Sequence, residues 1–96
     1  MANALVLLPK AKKEILGAWE WYEEKEDGLG DRFRQDIENK IKLVLDDPYH
    51  YPRKGKYLQA NADNFPYLIV FDVDKAEDTV YIISVFHASR HPKKKY

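Results

Sequence analysis

The spacing of apolar residues in the first half of the chain predicts two amphipathic helices. The first spans residues 10–26, where apolar side chains recur every three or four positions and line one face: Ala11, Ile15, Ala18, Trp19 and Tyr22. The second spans about residues 30–47 and repeats in the same way: Phe33, Ile37, Ile41, Val44 and Leu45. Each helix therefore has an apolar face that needs a partner surface within the fold.

Proline and glycine mark the ends of these helices. Pro9 suits the first turn of the first helix, where its missing N–H is not needed, and Pro48 ends the second helix. Gly28 is placed for a left-handed cap at the C-terminus of the first helix. Since about three residues connect the two helices, we expect them to lie antiparallel as a hairpin.

The second half of the chain is typical of an antiparallel sheet. Residues 67–73 and 79–87 are rich in β-branched and aromatic side chains, and a short polar turn at 74–78 joins them as a hairpin. Residues 56–60 form a weaker strand candidate, and 48–55 is predicted to be a loop.

Two further expectations complete the predicted fold. The apolar run at residues 4–8 is too short for a helix and is interpreted as a strand buried on both faces. In the last strand, simple alternation places two sets of residues on opposite faces: Val80, Ile82, Ser84 and Phe86 against Tyr81, Ile83, Val85 and His87. Together the elements predict an α+β fold, in which a short N-terminal strand and a helical hairpin pack on a mainly antiparallel sheet.

Length and composition limit the function classes. The 96 residues suffice for one hydrophobic core, so we expect a single domain over residues 1–96. The absence of cysteine excludes disulfides, a thiolate nucleophile and a cysteine-ligated zinc site, and it fits a reducing cytoplasm. Since the first apolar run is too short for a signal-peptide core or a membrane helix, we predict a cytoplasmic protein without a membrane partner.

Charge is unevenly distributed along the chain. The formal net charge is zero, which argues against a general nucleic-acid coat. Residues 1–48 carry eight Lys/Arg and eleven Asp/Glu, whereas residues 49–96 carry eight and five. Four of the positive charges lie near the C-terminus: Arg90, Lys93, Lys94 and Lys95. This tail is either a solvated terminus or part of a partner-binding surface.

Five short segments, in this order and at this spacing, make the prediction more specific. They are Trp21-Tyr22, Gly-Leu-Gly-Asp-Arg-Phe at 28–33, Asp47-Pro48, Phe-Pro-Tyr-Leu-Ile at 65–69, and Val-Phe-His-Ala-Ser-Arg-His-Pro at 85–92. Over about residues 4–92 the chain resembles the RelE/ParE toxin superfamily, on the ParE-like side that includes plasmid stabilisation toxins.

The resemblance implies a bacterial type II toxin that a cognate antitoxin binds and neutralises, with a heterotetramer of the two proteins as one possible assembly. ParE-like members are associated with poisoning DNA gyrase, and RelE-like members cut messenger RNA on the ribosome. We place the gyrase-type toxin, which acts by binding, first. A RelE-type RNA endonuclease and an inactive antitoxin-binding domain are the alternatives.

If the chain is a ribonuclease, its chemistry needs a base, an acid and cations for the phosphate. The candidates are His87, Arg90 and Tyr96, since His87-x-x-Arg90 matches the family's strand-end pattern. The alternative is that His87 is a hydrogen-bonded structural residue and that Arg90 binds a carboxylate. The predicted middle strands carry only one cation, Lys56, which favours a binding function over an enzymatic one.

Trp21 is the strongest candidate for partner binding within the helices. It lies off the inward face, and large exposed apolar side chains often mark contact sites; the alternative is packing against the loop at 49–51. The tail supplies the other candidates for partner binding: Arg90, His91, Lys93 and Lys94. The acidic cluster at 20–27 is interpreted as a solvated helix face. Because metal-ligand spacings and phosphate-binding loops are absent, we predict neither a metal nor a cofactor.

Overall fold

A computed structural model describes residues 4–89, in which two α-helices pack on one face of a five-stranded sheet. In chain order the elements are β1 (Ala4–Leu7), α1 (Pro9–Lys25), α2 (Leu29–Asp46), a 3-10 turn (Pro48–His50), β2 (Arg53–Lys54), β3 (Tyr57–Asn61), β4 (Tyr67–Asp74) and β5 (Thr79–His87). The strand order is β1-β5-β4-β3-β2, with β1 parallel to β5 and all other pairs antiparallel. The predicted α+β class and the helical hairpin are confirmed.

The helix ends lie within one residue of the predicted ends, but the role of one glycine differs. Pro9 opens α1, and Glu26, Asp27 and Gly28 connect α1 to α2. Gly28 is left-handed, with φ of 86°, as expected. However, it precedes α2 as its N-cap residue, whereas Glu26 in an extended conformation closes α1.

The two helices approach most closely where α2 begins. The Glu23 carboxylate accepts hydrogen bonds from the N–H groups of Gly28 (3.2 Å) and Gly30 (2.8 Å), so a side chain of α1 satisfies donors that the start of α2 leaves unpaired. Trp19, packed against the core as predicted, donates from Nε1 to Asp31 at 2.9 Å. Gly30 is buried against the backbone of α1, which leaves no room for a side chain.

β1 is not buried on both faces, and that expectation is wrong. Among residues 4–89 it is an edge strand that pairs only with β5, and 37 % of Leu5 and 38 % of Val6 are exposed. Leu7 packs against the core. An apolar run of this length fits either a central or an edge strand, because periodicity does not distinguish them.

Two details of the sheet also differ from the prediction. Residues 53–54, expected in a loop, form β2 and pair with β3. Between β4 and β5 the register changes, because Val70 lies opposite Ser84 whereas Phe71 lies opposite Ile82. This β-bulge shifts the alternation by one residue, so Val85 faces the helices with Val80 and Ile82 instead of opposing them.

The core lies between the helices and the inner face of the sheet. Its fully buried side chains include Phe33, Ile37, Ile69, Phe71 and Ile82. The loop between β3 and β4 is held to α2 by Asp36, whose carboxylate accepts three hydrogen bonds of 2.9 Å from Asn64 N, Asn64 Nδ2 and Phe65 N. Between residues 4 and 89, neither helix combines the length and apolar character needed to cross a bilayer.

Candidate partner-binding surfaces

α1, α2 and the end of β1 enclose an apolar groove, called here the helical groove. Its volume is about 390 Å³, and apolar side chains form most of its lining: Leu7, Ile15, Leu16, Trp19, Ile37 and Ile41. On α1 the apolar side chains extend beyond the part of the helix that the core covers. Leu16, next to the inward Ile15, is 57 % exposed.

Charged side chains also line this helical groove. Lys12 contributes from α1, and Arg34 and Glu38 contribute from α2. Arg34 lies 3.8 Å from Glu38 in an exposed i,i+4 pair, which adds little stability. An apolar floor with charged walls is suited to binding an amphipathic helix.

A second, more open groove lies between α1 and the end of β5. Its volume is about 480 Å³, and it is lined by Glu14, Gly17, Ala18, Trp21, Tyr67, Val85, Phe86 and His87. Trp21 is 41 % exposed, its ring meets Tyr22 edge-on at 5.0 Å, and the Lys25 ammonium lies 4.6 Å from its centroid. The structure thus brings Trp21 and His87, which the sequence suggested for separate reasons, to one surface.

His87 accepts a hydrogen bond at one ring nitrogen in this groove. Its Nδ1 accepts the N–H of Ser89 at 3.0 Å, which requires the imidazole to be unprotonated at Nδ1. Its ring meets Tyr67 edge-on at 5.3 Å. This geometry fits the structural interpretation of His87. The other predicted site residues lie outside the described residues: Arg90, His91, Lys93, Lys94 and Tyr96.

β2 adds two cations to the sheet, Arg53 and Lys54, at positions predicted to lie in a loop. Lys54 pairs with Tyr57, which lies level with Asp72 in β4. His87 pairs with Tyr67 at the other end of β4, five residues or about 17 Å away along the strand. General acid–base catalysis needs groups within hydrogen-bonding reach, so His87 and Lys54 do not form a common site.

Acidic side chains share the end of the sheet that carries these cations. Glu77 accepts a hydrogen bond from the Tyr81 hydroxyl at 3.2 Å, and this bond, together with the negative charge of Glu77, raises the pKa of Tyr81. Among residues 4–89, no three His, Asp or Glu side chains come close enough together to hold a metal ion.

Comparison with known proteins decides the family. The sequence matches the profile of the ParE toxin of the type II toxin–antitoxin system parDE over residues 5–92. The chain belongs to this family. A search of proteins with curated functions gave no significant match to this family member.

Solved structures agree with this assignment. A chain of the intact E. coli RelBE toxin–antitoxin complex is 25 % identical to this ParE-family chain with a TM-score of 0.68, covering 93 % of this chain and all of the other. An E. coli RelE mutant in complex with an antitoxin RelBc peptide is also 25 % identical, with a TM-score of 0.66 and coverage of 93 % and 86 %. A chain of the chromosomal ParDE system of P. aeruginosa shares the fold, with a TM-score of 0.77 at 13 % identity and coverage of 90 % and 96 %.

Sequence reasoning missed two residues of these surfaces in the ParE-family chain. Leu16 was missed because its neighbour Ile15 fits the spacing of the inward face, which drew attention away from the second apolar residue. Glu14 lies three residues after Ala11 and four before Ala18, so the helical period places a carboxylate on the inward face. A carboxylate on the inward face of a helix needs a hydrogen-bond donor, so the position of Glu14 could have predicted a polar contact with the sheet.

Proposed function

We propose that this chain is the toxin of a type II toxin–antitoxin pair, that it acts by binding a gyrase-type cellular target, and that a cognate antitoxin neutralises it. The match to the ParE family over residues 5–92 is the main support for a gyrase-type target. The similar RelBE and ParDE structures are toxin–antitoxin systems, which supports an antitoxin as partner.

The arrangement of charges supports binding over RNA cleavage. The cations of β2 lie about 17 Å along the strand direction from His87, which is too far for the two to share one reaction centre. Two grooves with apolar linings instead offer surfaces for protein partners. Trp21 belongs to the proposed partner surface, as do Arg90, His91, Lys93 and Lys94 in the tail.

A gyrase assay tests the target directly. The purified chain is expected to inhibit DNA supercoiling by gyrase and to stabilise gyrase-cleaved DNA, and added antitoxin is expected to reverse both effects. Gyrase activity that remains unaffected would remove the gyrase target. Site-specific messenger cleavage in an in vitro translation reaction, lost in Arg90→Ala, would instead identify the RelE-type endonuclease. Expression without growth arrest would indicate an inactive antitoxin-binding domain.

The helical groove between α1 and α2 is the proposed site of an amphipathic antitoxin helix. Apolar residues of that helix would cover Leu16 and Trp19, which the hairpin leaves accessible. Lys12 and Arg34 in the groove lining favour acidic residues on both sides of the apolar stripe of the antitoxin.

Leu16→Asp is expected to weaken antitoxin binding about 10- to 100-fold, because burying a leucine contributes about 1.5–3 kcal/mol and each 1.4 kcal/mol is tenfold. The free chain should fold as before, since Leu16 is mostly exposed. Calorimetric titration with the purified antitoxin measures the change. Leu43→Asp is the matched control, because Leu43 is 48 % exposed on α2 and does not line the groove. Equal losses in both variants would contradict the assignment of the groove.

A further inference from the structure

The two edges of the sheet are protected to different degrees. In the part of the chain that the structure describes, the sheet ends at β1 on one side and at β2 on the other. β2 is two residues long and both are charged, and short length and charge are two ways in which proteins prevent a further strand from pairing. β1 is four residues long, with the sequence Ala-Leu-Val-Leu at 4–7, and contains neither a charged residue nor a proline. The β1 edge therefore lacks these protections.

The backbone groups on the outer side of β1 belong to Leu5 and Leu7. On the inner side, the N–H of Ala4 donates to the Asp78 carbonyl at 3.3 Å, and that of Leu8 donates to the Ile82 carbonyl at 3.1 Å. Alternate residues of a strand direct their N–H and C=O groups to the same side. Val6 therefore also faces β5, whereas the N–H and C=O groups of the two leucines point away from it.

Apolar side chains flank this edge on both faces of the sheet. Leu7 packs against the core on the side of the helices. Because side chains alternate along a strand, Leu5 lies on the same side and Val6 lies on the outer face. Each of these two side chains is more than one-third exposed. Leu7 also lines the helical groove, so a strand added beside β1 would extend the apolar floor of that groove.

A second copy of the chain matches this edge in the register that uses all of the outward backbone groups. In an antiparallel pair related by a two-fold axis, Leu5 of each copy lies opposite Leu7 of the other, and each such pair exchanges two N–H···O=C hydrogen bonds. Val6 then lies on the axis, opposite Val6 of the other copy. A charged residue on the axis would repel its own copy, whereas an uncharged β-branched residue packs well there. The β1 edge is thus complementary to itself.

We propose that two copies of this chain associate through their β1 strands, antiparallel about a two-fold axis at Val6, and form one continuous sheet. Four main-chain hydrogen bonds join the copies, and Leu5 of each copy covers Leu7 of the other. Since the shared strands are short, the interface lies at the small end of specific interfaces, and we expect a dissociation constant on the order of 10–100 μM. The inference depends neither on the antitoxin nor on the cellular target.

Val6→Lys tests the association, because it places two positive charges opposite each other on the axis. In sedimentation equilibrium of the full chain, the average mass should rise above the 11.3 kDa of one chain as concentration increases. The variant should dimerise at least about tenfold more weakly, while its fold is kept because lysine is tolerated on edge strands. Leu43→Lys, the same charge change at an exposed position of α2, should dimerise normally. A single-chain mass at every concentration up to about 1 mM, or equal weakening in both variants, would overturn the proposal.

Disulfide cross-linking tests the register, and the chain suits it because it has no cysteine of its own. At Val6 the Cα atoms of the two copies would lie about 4.5 Å apart, which a disulfide can span. At Leu5 they would lie about 8 Å apart, which is too far. With oxidised glutathione, Val6→Cys should therefore give a linked dimer and Leu5→Cys should not. Linked dimers of both variants, or of neither, would contradict the proposed pairing.

Amide hydrogen exchange distinguishes a second copy from other partners at this edge. Exchange at Leu5 and Leu7 should slow as the concentration of the chain alone rises, whereas exchange at Val6, whose N–H already faces β5, should change little. Protection of the two leucines that appears only when purified antitoxin is added would overturn the proposal and assign the edge to that protein. The proposed toxin function would stand in either case.

Discussion

Gly30→Ala is expected to lower the free energy of unfolding by about 2–3 kcal/mol, although alanine is the better helix former. A Cβ atom at this position would lie 2.6 Å from the Trp19 carbonyl oxygen and 2.9 Å from Cγ of Glu23. The first of these neighbours is backbone, so the helices must separate to relieve the overlap. That separation also weakens the hydrogen bond from Gly30 N–H to Glu23.

Gly17→Ala is the matched control, since it places the same methyl group in the interior of α1. Apart from the backbone of the same helix, no atom lies within 4 Å of a Cβ built there, so the helix propensity of alanine acts alone. This variant should gain up to about 1 kcal/mol of stability. Urea denaturation followed by tryptophan fluorescence measures both variants. A stabilised Gly30→Ala variant would show that the two helices are not in close contact at this point.

The helices and the long β-hairpin could be read from the sequence because each carries its own periodic signal. Each helix ends one residue before the predicted boundary: α1 ends at Lys25 and α2 ends at Asp46. β2 carried no such signal, because a two-residue strand has no period and exists only through its pairing with β3. Its flanking Pro52 and Gly55 are typical of loops.

The bulge and the exposure of β1 could not be predicted from local sequence either, because both depend on how strands pair. An inserted residue is visible only in the alignment of two strands, as in the opposition of Val70 to Ser84 and of Phe71 to Ile82. Whether Leu5 and Val6 are covered depends on strand order, which periodicity does not encode. Strand order depends on pairings between residues more than 70 positions apart along the chain.

In the candidate surfaces, too, features of a single element could be predicted, whereas contacts between elements could not. Trp21 could be predicted, because its offset from the apolar stripe is a property of α1 alone. Its proximity to His87 could not, since that depends on how α1 lies on β5. Glu14 is an intermediate case: the sequence reveals a carboxylate on an inward face, but its partners Ser84 and Val85 lie about 70 residues away.

Asp36→Ala is expected to cost about 4 kcal/mol of stability, the largest effect of a single side chain considered for this fold. Asp36 is only 4 % exposed, and its carboxylate accepts three hydrogen bonds from Asn64 and Phe65. Truncation leaves these donors in a partly buried loop without their acceptor. Asp36→Asn retains one acceptor oxygen and should lose about half as much.

The consequence of Asp36→Ala should extend to the Trp21–His87 groove through a continuous set of aromatic contacts. The Phe65 ring lies 5.0 Å from Tyr22, and Tyr22 meets Trp21 at 5.0 Å. Loss of the loop anchor should therefore speed amide exchange at residues 62–66 and change the fluorescence of Trp21. Asp46→Ala, in the exposed last turn of α2, should shift stability by less than about 0.5 kcal/mol. If the two aspartate variants unfold at the same urea concentration, the Asp36 network is not what holds the β3–β4 loop against α2.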